Sequence, residues 1–301
     1  MAPALMTLRI ELPGRYDLHR SLSPLRRGPY DPTFRYRDDV VWNAVRTPDG
    51  PATLRLRQLT PCLVEADAWG PGTDWAAARL PGLLGAADNP HSFTPADPFM
   101  AELLHRTPGL RLPRTFRVLD ALVPAIIEQK VLGVDAFHAW GRILRYAGSP
   151  APGPAPSGLT APPDAAGWSA VPAWEWHRAG VGPQRYRTVQ AAVRVGDRLQ
   201  QLPATRLPAA LSPIPGVGRW TIAETVARVH GDPDAVPWGD YHLGRLVGTA
   251  LAGHIVDDDT TIARLLAPYA PHRYRAVRLL ALHVRVPRRG PRRARIDYRS
   301  R

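Results

Sequence analysis

A glycine-containing turn and a carboxylate that follows it are the features of this chain that could do chemistry. Pro215-Gly216-Val217-Gly218 interrupts an apolar helical pattern, and a helix is predicted to restart at Arg219 and to continue to His230. Gly239 and Asp240 then precede another helical pattern. A glycine turn that opens a helix exposes backbone N–H groups at the positive end of the helix dipole, which suits a phosphate group. A nearby carboxylate is repelled by that phosphate unless a positive charge lies between them, and a cationic transition state meets this need.

The positive charge of the chain is concentrated in the part that carries the turn. The 301 residues include 39 Lys plus Arg and 26 Asp plus Glu, for a net charge of +13. Residues 1–105 contain 11 Arg and 12 acidic residues, whereas residues 106–301 contain 28 basic and 14 acidic residues. Lys130 is the only lysine, so a compositional preference explains Arg over Lys but not this uneven excess. The pattern indicates a domain that neutralises nucleic-acid phosphates.

Composition excludes several other classes of protein. With 45% hydrophobic residues, the chain is long enough for one large or two ordinary domains with real cores. No apolar run reaches transmembrane length, and residues 1–12 lack the apolar core of a signal peptide. Cys62 is the only cysteine, which excludes disulfides, a thiolate zinc site and a four-cysteine iron–sulfur cluster.

The first part of the chain predicts strands and short helices. Residues 40–45 and 52–59 alternate apolar and polar side chains, as half-buried strands do, and residues 47–51 have the Pro, Asp and Gly typical of a hairpin turn. Two short helices are predicted, at residues 75–80 and 99–105. The fold class predicted for residues 1–105 is therefore α+β, a small antiparallel sheet with helices.

The remainder predicts an all-helical domain over residues 106–287, because apolar residues recur at three- and four-residue spacing. Besides the pair flanking the glycine turn, helices are predicted at residues 116–128, 131–146, 174–179, 184–199, 241–251, 260–266 and 272–284. The Pro-, Ala- and Gly-rich residues 148–163 predict an extended surface loop, and seven Arg in residues 288–301 predict a mobile basic tail. Asp257-Asp258-Asp259 could suggest a metal cluster, but consecutive acids before a helix favour a loop and cap.

The hairpin and the carboxylate together resemble the helix-hairpin-helix DNA glycosylases, in particular the AlkA-type branch, the DNA-3-methyladenine glycosylases II. In that family the motif reads roughly Leu-x-x-x-Pro-Gly-Ile/Val-Gly-x-Trp-Thr-Ala and is followed by an aspartate–tyrosine pair. The matching residues here are Pro215, Gly216, Val217, Gly218, Trp220, Thr221, Asp240 and Tyr241. Because such proteins also have an amino-terminal α+β domain, the resemblance covers most of the chain.

The resemblance implies a catalytic role for Asp240, which would stabilise the sugar cation formed as the N-glycosidic bond breaks or would orient the attacking water. Aspartate is also a preferred helix cap, and both roles can coexist. Trp220 stands where lyase-type relatives carry a Schiff-base lysine, which implies a monofunctional enzyme. The indole ring of Trp220 could stack on a cationic base or belong to the helix core. Glu224 and His272 stand where family pockets use aromatic residues, and with Trp220 and Tyr241 they form the predicted substrate pocket, although a lone histidine is more often structural.

The predicted DNA contacts lie on the hairpin and on one loop. The hairpin contributes Pro215, Gly216, Val217 and Gly218, and the helix after it contributes Arg219 and Thr221, although an ordinary helix–helix turn has similar residues. Residues 126–131 resemble the family's loop that fills the gap left by a flipped nucleotide, with Gln129 matching and Lys130 replacing the usual Leu or Gln; a solvated helix end is the alternative. The resemblance further implies a structural monovalent cation on the backbone carbonyls of Ser212, Ile214 and Val217.

The function predicted is base-excision repair: hydrolytic removal of alkylated purines, such as 3-methyladenine and 7-methylguanine, from double-stranded DNA. We expect no required cofactor beyond that cation, no membrane partner, a monomer, and a cytoplasmic location associated with the nucleoid. Two alternatives remain open, a non-catalytic damage-binding protein of the same fold and a glycosylase for another class of lesion. A ribosomal or RNA-associated protein agrees only with the charge.

Overall fold

A five-stranded antiparallel sheet forms the centre of the amino-terminal part. In the computed structural model, which describes residues 6–286, the strands run in the order β1-β5-β4-β3-β2. They are β1 (Met6–Glu11), β2 (Phe34–Arg37), β3 (Val40–Thr47), β4 (Gly50–Thr60) and β5 (Leu63–Trp69). The predicted hairpin of residues 40–59 is confirmed, with Val41 opposite Leu56 and Val45 opposite Ala52. The arginine-rich segment predicted at residues 288–301 lies outside the described residues.

The two faces of the sheet are covered by different parts of the chain. One face carries Val41, Val45 and Leu54 into a core shared with α1 (Leu18–Leu22) and α2 (Thr73–Leu83). Because side chains alternate along a strand, Trp42 and Ala44 point to the opposite face. The ring of Trp42 stacks there on that of Trp69 with centroids 5.8 Å apart.

The prediction of a surface loop at residues 148–163 was only partly right: most of the segment is exposed or half-buried, but its last residues cover that second face. Its short strands β6 (Ser149–Pro150) and β7 (Thr160–Ala161) pair with each other, and Leu159 and Ala161 are buried against the two tryptophans. The backbone N–H of Thr160 also donates to the carbonyl of Pro32 at 2.7 Å. Without this segment, the two indole rings would expose a large apolar surface to water, and the segment buries that surface.

The rest of the described chain is helical, as predicted. Its helices are α4 (Val118–Ile127), α5 (Gly133–Ala147), α6 (Ala165–Ala170), α7 (Ala173–Arg178), α8 (Pro183–Arg194), α9 (Gly196–Gln200), α10 (Leu207–Leu211), α11 (Arg219–His230), α12 (Leu243–Leu251), α13 (Asp259–Leu266) and α14 (Arg273–His283). The one helix predicted at residues 184–199 is two, because the chain breaks at Val195 between α8 and α9. Among residues 6–286, none of the helices combines the length and the apolar content needed to span a bilayer.

Two hydrophobic cores hold these helices together. The larger surrounds α4, most of whose side chains are buried between α8 and α11, and includes Trp140, Trp168 and Trp176. The second joins α12 and α14 to Met100 and Leu103 of α3 (Pro98–His105). The sheet-bearing part and the helical part therefore share a core near the boundary predicted at residue 105, and that boundary stays a prediction.

Helix α12 packs directly on the backbone of the segment that follows it. A Cβ atom at Gly244 would lie 2.0 Å from the carbonyl oxygen of Val256, and one at Gly248 would lie 2.5 Å from that of His254. Both distances are far below van der Waals contact, and a backbone carbonyl cannot rotate away as a side chain can. The position of α12 thus depends on glycine at these two sites.

We expect Gly244→Ala to lower the free energy of unfolding by about 3 kcal/mol, the upper part of the range for overpacking a well-packed site. Gly141→Ala is the matched control, because its Cβ would meet only the end of the flexible Arg145 side chain, at 3.4 Å. Replacing a glycine within a helix should stabilise it by about 0.5–1 kcal/mol. Urea unfolding of both variants checks this, and equal stabilities would contradict the steric argument.

Candidate active site

The carboxylate of Asp240 is held from two sides between α11 and α12. Its Oδ1 accepts the backbone N–H groups of His242 and Leu243 at 2.7 and 3.0 Å, and its Oδ2 accepts the indole N–H of Trp220 at 3.0 Å. The first pair of bonds follows the pattern of a helix cap, but it lies on the turn at residues 241–242 that leads into α12, whose own N-cap residue is His242. Three donors to one carboxylate give it a defined orientation at a partly exposed position.

The hairpin between α10 and α11 has the geometry that its sequence predicts. Gly216 has φ +86°, a left-handed conformation that favours glycine, and a Cβ there would lie 2.2 Å from the Thr188 hydroxyl. The backbone N–H of Val217 donates to the carbonyl of Ile214 at 2.9 Å, which closes the turn. Gly218 precedes α11 with no capping side chain, so the first N–H groups of this helix have no side-chain acceptor. Contact of this surface with DNA stays a prediction.

Gln129 ties the loop after α4 to the hairpin. Its Nε2 donates to the carbonyl of Gly216 at 2.9 Å and to the hydroxyl of Thr221 at 2.8 Å. The next residue, Lys130, is exposed and has φ +54°, a conformation that a lysine rarely adopts. Gln129 and Thr221, both predicted to bind DNA, are therefore bound to each other here, and Lys130 is the residue that the loop presents to solvent.

Trp220 and Glu224 lie one turn apart on α11 and have different partners. Trp220 is half-buried and donates to Asp240, as described above. The Glu224 carboxylate pairs with Arg228 at 2.7 Å and lies 4.0 Å from the guanidinium of Arg27. The negative charge of Glu224 is thus already balanced within the protein, whether or not a base comes next to it.

Arg27 connects the amino-terminal part to the loop that carries Gln129 and Lys130. Its Nη1 donates to both oxygens of Glu128, at 2.9 and 3.0 Å, although the Arg27 side chain is only 6% exposed. Burial, followed by the positive charge of Arg228, lowers the pKa of Arg27. The sequence analysis missed Arg27, Glu128 and Arg228, because nothing local to residue 27 indicates a partner on α4 or α11.

His272 and Tyr241 lie in different surroundings. The buried ring of His272 bonds to the hydroxyl of Ser92 at 2.8 Å and packs edge-on against Phe93. Burial, followed by the charge of Arg275, lowers the pKa of His272, which favours a neutral ring. Tyr241 is 68% exposed beside Asp240. The structure gives His272 structural partners, and its place in a base pocket stays a prediction, as does that of Tyr241.

Arg219 and the acidic run meet near the start of α11. Asp258 caps α13 by accepting the N–H of Thr261 at 2.7 Å, which confirms the cap predicted for this run. Asp259, the next residue, forms an ion pair with Arg219. No group of three or more potential metal-ligating side chains occurs within residues 6–286. The guanidinium predicted to contact a phosphate is therefore paired with a carboxylate in this structure.

Comparison with known proteins points to one fold and to one group of relatives. No family model matches the chain. Over 176 residues it is 30% identical to a protein from two strains of Mycobacterium tuberculosis described as a probable bifunctional transcriptional activator/DNA repair enzyme AlkA. The match covers 56% of this chain and 35% of that protein, so the chain spans about a third of the length of these curated relatives.

Solved structures match over nearly the whole chain. The 3-methyladenine DNA-glycosylase from Archaeoglobus fulgidus superposes with a TM-score of 0.75 at 16% identity, covering 92% of this chain and 98% of that one. The 8-oxoguanine glycosylase/lyase of Clostridium acetobutylicum superposes with a TM-score of 0.69 at 10% identity, covering 94% and 99%. At such identities these matches establish the fold alone.

The five-stranded sheet and the helical body of this chain thus have the fold of these solved DNA glycosylases. The resemblance to AlkA-type glycosylases that was predicted from the hairpin residues, Trp220 and Asp240 agrees with the description of the curated relatives.

Proposed function

We propose that this protein is a monofunctional DNA glycosylase that removes alkylated purines, such as 3-methyladenine and 7-methylguanine, from double-stranded DNA. The observation that carries the proposal is the carboxylate of Asp240, oriented by three donors next to the helix that the hairpin opens. A repair enzyme of this kind acts on chromosomal DNA, which would place the protein with the nucleoid. Action as a monomer is part of the same proposal.

The reaction assigned to the site is hydrolysis of the N-glycosidic bond. The bond between the sugar C1′ and the base nitrogen breaks, and its electron pair leaves with the base. Positive charge develops on the sugar, and Asp240 offsets that charge and orients the water that adds to C1′, while the proton that this water loses passes to the Asp240 carboxylate or to solvent. An alkylated purine already carries positive charge and is a good leaving group, so a general acid is not required for its departure.

Trp220 is the residue that favours hydrolysis over a lyase reaction. It occupies the position where a lyase would carry an amine, and the chain has one lysine in total, Lys130. Its indole ring is partly exposed next to Asp240, where a flipped cationic base could stack on its electron-rich face. Glu224, balanced by Arg228, would border this space without presenting a free negative charge.

DNA contact is assigned to the hairpin and to the loop of Lys130. The first N–H groups of α11 and the backbone of residues 215–218 would bind a phosphate. Lys130, held outward in its left-handed conformation, would enter the space left by the flipped nucleotide. Gln129 and Thr221 would contribute by fixing this loop relative to the hairpin.

A monovalent cation at the hairpin is a further part of the proposal. The ligands would be the carbonyl oxygens of Ser212, Ile214 and Val217, which are uncharged and hard, as such an ion prefers. The carbonyl of Ile214 already accepts the N–H of Val217 but retains a second lone pair. When bound, such an ion would add positive charge opposite a DNA phosphate.

Release of free base from methylated duplex DNA tests the proposed function. Purified protein is incubated with dimethyl sulfate-treated DNA, and released bases are quantified by mass spectrometry. We expect 3-methyladenine and 7-methylguanine to be released, and borohydride to trap no covalent protein–DNA adduct. Binding of damaged DNA without release would instead support a non-catalytic damage-binding protein, and release of other bases only would indicate a different class of lesion.

A further inference from the structure

The turn that carries the catalytic carboxylate is attached to α13 as well as to α11. Gly239 has φ +82°, and its backbone N–H donates to Oδ1 of Asp259 at 3.2 Å. The other oxygen of Asp259, Oδ2, pairs with the guanidinium of Arg219. One side chain therefore bonds both to the residue before Asp240 and to the first residue of the hairpin helix.

These contacts lie directly beside the bond between Trp220 and Asp240. Arg219 and Trp220 are consecutive in α11, and Gly239 and Asp240 are consecutive in the turn. The turn is thus fastened to the start of α11 twice, once through Trp220 Nε1 and once through the Asp259 carboxylate. A turn with a left-handed glycine is free to adopt other conformations, so the second attachment limits where Asp240 can lie.

We propose that Asp259 is a positioning residue that holds Asp240 in its reactive orientation and, in the same contact, neutralises Arg219. The proposal deepens the function proposed above and rests on it for its effect on catalysis. Arg219 is 66% exposed at the hairpin, where a phosphate is expected to bind, and Asp259 is 27% exposed. An ion pair this exposed adds little to stability, typically less than about 1 kcal/mol. The effect of Asp259 should therefore be seen in the orientation of Asp240 and in DNA binding.

Removing the Asp259 carboxylate should slow base release but tighten DNA binding. Without Asp259 the turn loses an acceptor and Asp240 is less well oriented, which slows base release. Arg219 is then free to contact a phosphate, which tightens binding to any duplex and adds one released counterion to the salt dependence. A residue that only supported the fold would weaken both properties together.

The experiment compares Asp259→Ala and Asp259→Asn with Asp257→Asn. The control removes the same charge from the same acidic run, at an exposed residue outside the two contacts. Affinity for an undamaged duplex is measured over a range of salt concentrations, and base release is followed under single-turnover conditions. The indole N–H resonance of Trp220, assigned with Trp220→Phe, reports the bond to Asp240 without turnover.

We expect both Asp259 variants to steepen the plot of log K against log salt by about 0.9, the contribution of one phosphate contact, with no change in Asp257→Asn. Base release should fall at least about tenfold in Asp259→Ala, since a small misplacement of a reacting group is costly, and less in Asp259→Asn, which keeps an acceptor for Gly239. The Trp220 resonance should shift in Asp259→Ala only. An unchanged salt slope or an unchanged Trp220 resonance in that variant would overturn the proposal. If the wild type releases no base, the proposed function fails, and these two readouts still decide whether Asp259 holds the turn.

Discussion

Asp240→Asn is expected to slow base release from methylated DNA by at least about a hundredfold, while the protein stays folded and binds DNA. Losing one group that stabilises developing charge typically costs a factor of this size. Asparagine is as good a helix cap as aspartate, so its one carbonyl oxygen can still accept the N–H groups of His242 and Leu243. Its amide nitrogen would then face the indole N–H of Trp220, where the wild type has an acceptor. The variant thus removes the charge and the Trp220 bond but keeps the cap.

Asp240→Ala separates catalysis from capping in the same assay. It removes the cap as well, so its free energy of unfolding should fall by about 1 kcal/mol relative to Asp240→Asn, whereas both variants should lack base release. Single-turnover release and thermal unfolding are measured on both proteins. Release by Asp240→Asn at close to the wild-type rate would show that Asp240 is a cap and not the catalytic carboxylate.

Arg27→Met is expected to lower the free energy of unfolding by about 3 kcal/mol, the low end of the range for removing one partner of a buried ion pair. The Arg27 side chain is 6% exposed and bonds to both oxygens of Glu128, which would be left without this partner. The low end applies because Glu128 is itself 17% exposed and can be partly hydrated. Urea unfolding gives the free energy directly.

Two further variants make the prediction for Arg27 specific. Arg9→Met removes an arginine that is 66% exposed and paired with Glu65, and it should cost less than about 1 kcal/mol. The double variant with Arg27→Met and Glu128→Gln should be more stable than Arg27→Met alone, because it no longer buries an uncompensated carboxylate. A cost for Arg27→Met as small as that for Arg9→Met would contradict the role assigned to the buried pair.

The contact between Arg27 and Glu128 also joins the sheet-bearing part of the chain to the helical part. Arg27 precedes β2 in the chain, and Glu128 precedes the Gln129 that binds the hairpin. Asp31 strengthens the same junction, because its carboxylate accepts the N–H of Arg27 at 2.6 Å and the indole N–H of Trp140 at 3.1 Å. The amino-terminal part thereby bonds to the residue directly before Gln129 and Lys130.

Features that depend on neighbouring residues were determined by the sequence alone. The strands of residues 40–59 and most of the helices followed from apolar periodicity, because each buries one face over a continuous segment. The hairpin and the fixed aspartate followed from residues 215–240, since a left-handed glycine and a cap are local requirements. The sequence also shows a tryptophan, Trp220, where a lyase would carry a lysine. This residue remains the basis for proposing hydrolysis.

Contacts between distant residues were decided only by the tertiary structure. Arg27 and Glu128 are separated by 101 positions, Gln129 and Thr221 by 92, and Ser92 and His272 by 180. With 39 basic and 26 acidic residues in the chain, charge alone allows very many pairs, and only packing selects among them. The burial of Leu159 and Ala161 on the sheet has the same origin, since the composition of residues 148–163 resembles an exposed loop until the two tryptophans beneath this segment are placed. The sequence therefore determined which groups could react, and the fold decided which groups hold them in place.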